Sequence, residues 1–314
     1  MEERENQEEK TEEKHIWKKK FSLKEFYDKN YKKLLLIPFL MLVLAILQIA
    51  IQTAVTGDFI NKGVSLKGGL TVSIDKIASI IELQNYLRDQ FPDADISVRA
   101  LSSAGTQIGI IIEAADVEAD ELMQAIQNRL GDLNKDEFSI EVMGSSLGAS
   151  FFKETFRAVI IAFLFMGIVV FLYFRTPTPS FAVILAAFSD IIVTLAIVNL
   201  IGMKISTAGI AAFLMLIGYS VDTDILLSTR VLKRKEGTVL DGILSAMRTG
   251  MTMSITTMIA VLVALVFAQS VILKQIMIIL FIGLLVDLPN TWIQNAGILR
   301  WYLERKKKEY RSEE

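Results

Sequence analysis

The sequence contains no cysteine, and its only histidine is His15. Without thiols there is no disulfide, no thiolate metal site and no cysteine nucleophile. One histidine in a charged tail also excludes an HExxH zinc site and a serine triad that needs a histidine base. No G-x-x-x-x-G-K-[ST] stretch occurs. The nearest glycine cluster, KGGL at residues 67–70, lacks the phosphate-binding lysine in the right place, so ATP is not expected to be hydrolysed here. No catalytic residue, metal, cofactor or nucleic-acid partner is expected, and the chain does not read as an enzyme.

What is present is apolar. Hydrophobic residues make up 52% of the chain and mean hydropathy is +0.45, while the charged residues gather at the two ends and between residues 56 and 157. That is a membrane-protein profile with hydrophilic appendages. Crossing a hydrocarbon core takes roughly 20 helical residues, and six runs qualify: 34–55, 156–174, 180–201, 206–228, 251–269 and 275–299. Placing the N-terminus in the cytoplasm puts Lys18, Lys32, Lys33, Arg175, Arg230, Lys233, Arg305 and Lys306 inside, and leaves only Lys204 and Lys274 in short outer loops. The chain therefore divides into a cytoplasmic tail with an interfacial helix (1–33), a first span (34–55), an external unit (56–155), spans two to six (156–299) and a basic cytoplasmic tail (300–314). Residues 1–20 are rich in Glu and Lys, which predicts disorder. The following Ile16, Trp17, Phe21, Leu23, Phe26 and Tyr27 predict a helix lying on the cytoplasmic leaflet.

The external unit has its own periodicity. A strand-like run from Gly63 to Asp75 leads into helical spacing of Ile77, Ile80, Ile81, Leu83, Tyr86, Leu87 and Phe91. Strands are predicted over Ile96–Leu101 and Gln107–Glu113, split by turn chemistry at Ser102, Ser103, Ala104 and Gly105. A second amphipathic helix, Asp116–Leu130, and a last strand, Phe138–Val142, complete β-α-β-β-α-β. This is the ferredoxin-like α+β order, with both helices on one face of an antiparallel sheet.

The informative residues lie inside the spans. An ionised side chain at mid-bilayer costs several kcal/mol, so a carboxylate there is a functional candidate. Four qualify as proton-relay candidates: Asp190 in the third span, Asp222 and Asp224 in the fourth, and Asp287 in the sixth. Within IGYSVDTDIL (217–226), Asp222 shares a helical face with Gly218, and Asp224 shares one with Ser220. A glycine one turn away lets a neighbouring backbone or water approach, which favours Asp222 as the working group and Asp224 as its support. In the fifth span Thr249, Thr252 and Thr256 share one face, and Gly250, Ser254 and Thr257 an adjoining one. Such small and hydroxylated residues let helices pack closely and hydrogen-bond. In the sixth, Asp287, Asn290, Thr291 and Gln294 make one polar stripe beside an expected kink at Pro289. Facing one another, these helices would form a hydrated relay. Arg157, Arg248 and Lys274 lie near span ends, so protonated carboxyl groups are the expected resting state.

One span, a large external unit and five further spans resembles half of a resistance-nodulation-division transporter. The stretch from Gly218 through Tyr219, Ser220 and Val221 to Arg230 resembles the fourth-helix signature of the SecD/SecF protein-export family. Ser189-Asp190 resembles its His-Asp pair, and Arg248 with Thr256 and Thr257 its fifth-helix R-T…T-T motif. KGGL is similar to the start of the family's external domain, and DLPNTW from Asp287 looks like the archaeal branch. One six-helix unit with a small external domain fits the SecF side better than SecD. The sequence departs from bacterial members in carrying Val221-Asp222-Thr223-Asp224 where Asn-Asp is usual, and Ser189 in place of histidine. The resemblance implies an auxiliary subunit of the Sec translocon channel in the plasma membrane. It would pair with a SecD-like subunit as a heterodimer and use the proton-motive force to draw preproteins outward.

Other readings compete. Two membrane aspartates could form an intramembrane aspartyl protease dyad, but the expected G-x-G-D is absent, with Gly218 four residues before Asp222. An exporter of lipids or small molecules from the same superfamily usually carries two six-helix units on one chain. A passive scaffold for the translocon, in which the aspartates only fix helix packing, is the structural alternative.

Overall fold

A computed structural model describes residues 23–313 apart from 104, 105, 135, 234–237 and 269. The charged tail, most of the proposed interfacial helix and the tip of the 102–105 turn lie outside the described residues. Six helical segments are long and apolar enough to cross a membrane: Tyr27–Thr56, Ser145–Phe174, Pro177–Leu200, Thr207–Leu232, Val239–Phe267 and Val271–Lys307. The first comprises α1 (Leu23–Leu34) and α2 (Leu36–Thr56), and ends at Gly57 with φ 79°. Tyr27, expected on the membrane surface, instead donates its hydroxyl to the Trp292 carbonyl at 2.9 Å, and Arg300 pairs with Asp28 at 2.6 Å. The start of this helix is thereby tied to the last span.

The unit between the first two spans is a four-stranded antiparallel sheet in the order β2-β3-β1-β4. Its elements are a single helical turn α3 (Val64–Lys67), β1 (Gly69–Ile74), α4 (Ile80–Gln90), β2 (Asp95–Ser103), β3 (Thr106–Ala115), α5 (Ala119–Leu130) and β4 (Phe138–Met143). Register places Val72 opposite Ile112 on one side and Ile140 on the other. Leu70, Val72, Ile74, Val98, Ile110 and Ile112 meet Leu83, Leu87, Leu122 and Ile126 in one dry core, so both helices cover the same face. Period-2 alternation in β1 and period-3.6 spacing in the helices aim these residues inward. The expected strand from Gly63 is corrected: residues 64–67 close a helical turn. Gly68 then turns the chain at φ 94°, where a Cβ would lie 2.5 Å from Ser145 Cα at the start of the second span. Ile77 and Ile81 are also corrected, being 68% and 74% exposed, because the helix starts only at Ile80 and Ile81 falls on its outer face.

The bundle continues with α6 (Ser145–Phe174), α7 (Pro177–Leu200), α8 (Thr207–Leu232), α9 (Val239–Phe267), α10 (Val271–Pro289), a π-helical turn (Asn290–Asn295) and α11 (Ala296–Glu313). Ser206 caps α8 and Ser270 caps α10, while Thr238 and Asp241 form a capping box on α9. Helices α7 and α8 form the centre: 56% of each one's most apolar window is buried, against 6% for α6 and 17% for α9.

The sheet unit is fastened to one end of this bundle. The chain after α2 bonds the α7–α8 loop through Gly63 N–H to Ile205 O (2.8 Å) and Ile205 N–H to Asn61 O (2.6 Å). Asp95 on β2 pairs with Lys204 at 2.9 Å and Lys67 at 3.5 Å. Partial burial pushes the Asp95 carboxyl up, but the Lys204 hydrogen bond and the two lysine charges outweigh it and hold the group below the usual carboxylate range.

Candidate functional site: a buried carboxylate cluster

Three helices of the bundle turn polar side chains toward one another at its centre. From α7 come Ser189 and Asp190, from α8 Ser220 and Asp224, and from α10 and the π-turn Asp287, Asn290, Thr291, Gln294 and Asn295, all buried. The π-turn follows from Pro289, which has no N–H to donate and whose ring crowds the preceding turn. The widened turn that replaces regular α-helix after it carries two asparagines, a threonine and a glutamine inward. Such turns recur at functional sites.

The bonds within the cluster are specific. Ser220 donates its hydroxyl to Asp190, whose other oxygen accepts from the Asn290 amide at 2.7 Å. Thr291 donates to Asp287 at 2.9 Å, Asn295 to Asp224 at 2.8 Å, and Gln294 to Ser189 at 3.1 Å. The three aspartates lie within electrostatic reach of one another. Every group donating to them is neutral, and among the described residues none of the three forms an ion pair.

Oxygens remain over. Asp224 Oδ2, Asn290 Oδ1, Gln294 Oε1 and Asn295 Oδ1 are buried without a hydrogen-bond partner. A buried acceptor lacking a donor costs about 1–3 kcal/mol, and ionised carboxylates without counter-charges cost more. The cluster therefore holds more acceptors than donors. Among the described residues, no group of three or more carboxylate or imidazole side chains is arranged to hold a metal ion.

The structure brings together Asp190, Asp224, Asp287, Ser220, Asn290 and Thr291 from the sequence-derived candidates, and separates the others. The preference for Asp222 is reversed in placement. Its side chain is exposed and makes no hydrogen bond or ion pair among the described residues, sharing the outer face of α8 with Met215, Gly218 and Tyr219. Asp224, two residues on, points into the bundle. The expected contribution of the fifth span is also corrected. Thr252 and Thr256 donate to carbonyls of their own helix, α9, and Arg248 is exposed, while Thr257 is only half-buried. That helix reaches the site region through Gly250, where a Cβ would stand 2.3 Å from the Trp292 ring. Asn295 is the member of the site that helical spacing does not reach. Counting at 3.6 residues per turn from Asp287 stops at Gln294, and only the wide turn carries Asn295 to Asp224.

Comparison with known proteins covers this whole cluster. The model of the C-terminal region of SecD/SecF protein-export membrane proteins matches residues 123–305. The protein-export membrane protein SecF of Pyrococcus furiosus is 36% identical over 91% of this chain and 96% of its own length. That of Methanocaldococcus jannaschii is 39% identical over 88% and 96%, and that of Thermococcus gammatolerans is 40% identical over 87% and 85%. Among solved structures, SecDF from Thermus thermophilus, a translocon-associated membrane protein, superposes with a TM-score of 0.69 over 87% of this chain at 18% identity. This chain spans 38% of that protein's length, so the likeness is one of fold to part of a longer molecule. Topology, the conjunction of motifs and these relatives agree, and the chain belongs to the SecD/SecF protein-export family.

Proposed function

We propose that this chain is an auxiliary subunit of the Sec protein-translocation machinery, in which the carboxyl groups of Asp190, Asp224 and Asp287 gain and lose protons and so couple the proton-motive force to preprotein export. The observation that carries this reading is three fully buried carboxyl groups on three helices with neutral donors only. A cluster of that kind is too costly to persist as a packing device, since apolar side chains of similar volume would fill the space at lower free energy. Motion has a route outward. Gln275, at the far end of α10, bonds Ser206 at the start of α8 and the Lys204 carbonyl, while Lys204 grips Asp95 of the sheet unit. A shift between α8 and α10 on protonation is thus passed to that unit, which we place on the outer side by the lysine and arginine bias of the short loops.

The exposed Asp222 supports a partner. A lone carboxylate facing lipid well inside a span is costly, and the face it shares with Gly218 and Tyr219 offers a small residue for close approach and a phenol for hydrogen bonding. A SecD-like subunit covering this face would complete a heterodimer beside the translocon channel.

The test is proton uptake by vesicles containing the chain together with a SecD-like partner, followed with an internal pH dye under an imposed potential. Asp190→Asn, Asp224→Asn and Asp287→Asn are each expected to abolish uptake with normal protein abundance. Undiminished uptake in all three would remove the cluster from the proton path.

A further inference from the structure

At the end of the bundle opposite the sheet unit, three helix ends meet around a shallow pocket of about 430 Å³ lined by Thr229, Arg230, Lys233, Gly242 and Ser245. Tyr173, in the last turn of α6, stands beside it: its ring lies 5.1 Å from the Lys233 ammonium and its hydroxyl 3.4 Å from Thr229 Oγ1. Arg230 donates to the Ser245 carbonyl at 2.8 Å and to its hydroxyl at 3.3 Å, which ties α8 to the second turn of α9. The pocket thus collects a guanidinium, an ammonium and two hydroxyls, and among the described residues no carboxylate lines it. The nearby Asp241 is engaged with the N–H and hydroxyl of Thr238 in the α9 capping box. Among the described residues neither Arg230 nor Lys233 has a carboxylate partner. Arg230 and Lys233, three residues apart on one helical face, repel each other, and an anion between them relieves that repulsion.

The setting says which anion. Thr229, Arg230 and Lys233 end one span and Tyr173 another, which is headgroup height, where tyrosine and basic side chains concentrate. One and two turns back from Tyr173 on the same face of α6, Val169 and Phe165 are 59% and 64% exposed. A molecule with its phosphate in the pocket would lay its chains along that apolar strip. A partner protein's carboxylate would satisfy the cations but leave the strip unexplained. We infer that this pocket binds one anionic phospholipid, its headgroup phosphate held by Arg230 and Lys233 with the Thr229 and Ser245 hydroxyls.

Native mass spectrometry of the full chain in detergent, titrated with phosphatidylglycerol or phosphatidylcholine, tests this. Each basic side chain near an anionic headgroup contributes roughly five-fold in affinity, so one phosphatidylglycerol should be retained with roughly a twenty-fold preference over phosphatidylcholine. Lys233→Gln should reduce that preference roughly five-fold, Lys233→Arg should keep it, and Lys32→Gln with Lys33→Gln should not change it. Lys233 is exposed, so its variants are expected to fold, and melting midpoints measured alongside should agree with the unaltered protein. The inference is overturned if phosphatidylglycerol shows no preference, or if Lys32→Gln with Lys33→Gln removes it equally. Displacement by inorganic phosphate at equal concentration would show a free-anion site instead. Displacement by a co-expressed SecD-like partner, with Lys233→Gln weakening that pairing, would show a protein contact and overturn it too.

Discussion

The sheet unit and the helix bundle hide opposite kinds of side chain. In the unit, Leu70, Val72, Ile110 and Ile112 are shut away from solvent, and ion pairs such as Lys67–Asp95 and Arg129–Glu82 sit at the surface. In the bundle, Leu164, Phe165, Leu172 and Val263 face outward, while Asp190, Asp224, Asp287, Asn290 and Gln294 are enclosed. Water explains the first arrangement, at about 25 cal/mol for each Å² of apolar surface removed from it. Lipid withdraws that driving force, so helix association rests on close packing and interhelical polar contacts. One core exists to fold the chain. The other keeps polar groups at a cost and is where function is to be sought.

The contrast can be broken most severely in the unit. Ile112 lies in the sheet between Val72 and Val98, and Ile112→Asp sets an unpaired charge in a dry core. A loss of more than about 4 kcal/mol is expected, seen as rapid proteolysis of residues 69–143 while the spans stay inserted. In the bundle, the nearest equivalent is overpacking. Gly250→Leu drives a side chain into the Trp292 ring and should cost about 1–3 kcal/mol, read as a lower melting midpoint in detergent. A polar change in the same bundle should do much less. Asp190→Asn, Asp224→Asn and Asp287→Asn each remove a carboxyl group without changing its shape, and stability should stay within about 1 kcal/mol, measured by the same melt. The smallest effect belongs to the contact between the two regions. Asp95 is depressed below its unfolded range, so its contribution is present above the unfolded value of about 3.9 and is lost as pH falls through the folded one. Both lysines compete with solvent, and the pair is worth about 0.2–1 kcal/mol. Protection of the amides at the β2 start, corrected for the pH dependence of intrinsic exchange, should therefore be flat from neutral pH down to about 5 and fall only below about 4, a change that Lys204→Ala reduces.

Much of this architecture was legible in the residues. Six apolar runs, the β-α-β-β-α-β order and the candidacy of Asp190, Asp224 and Asp287 follow from run length, alternation and the cost of charge in lipid. The choice between Asp222 and Asp224 does not. Helical period states which residues share a face, but α8 has polar groups on both candidate faces, Tyr219 beside Asp222 and Ser220 beside Asp224, so nothing local says which face turns inward. The same limit hid the fate of Thr252 and Thr256, whose hydroxyls are satisfied by their own helix. Asn295 is beyond reach because spacing at 3.6 residues per turn does not contain the widened turn that follows Pro289. Val64–Lys67 read as strand because four apolar and polar residues alternate there as readily as they close one turn.

The central claim, that the working carboxyl groups are the enclosed ones, is tested most directly by export of a secreted reporter in cells dependent on this chain. Asp224→Asn is compared with the unaltered protein at matched membrane abundance and partner co-purification. The account predicts that Asp224→Asn abolishes export although the protein remains folded and paired. Full export by Asp224→Asn, with loss on Asp222→Asn alone, would contradict it and return the function to the exposed face of α8.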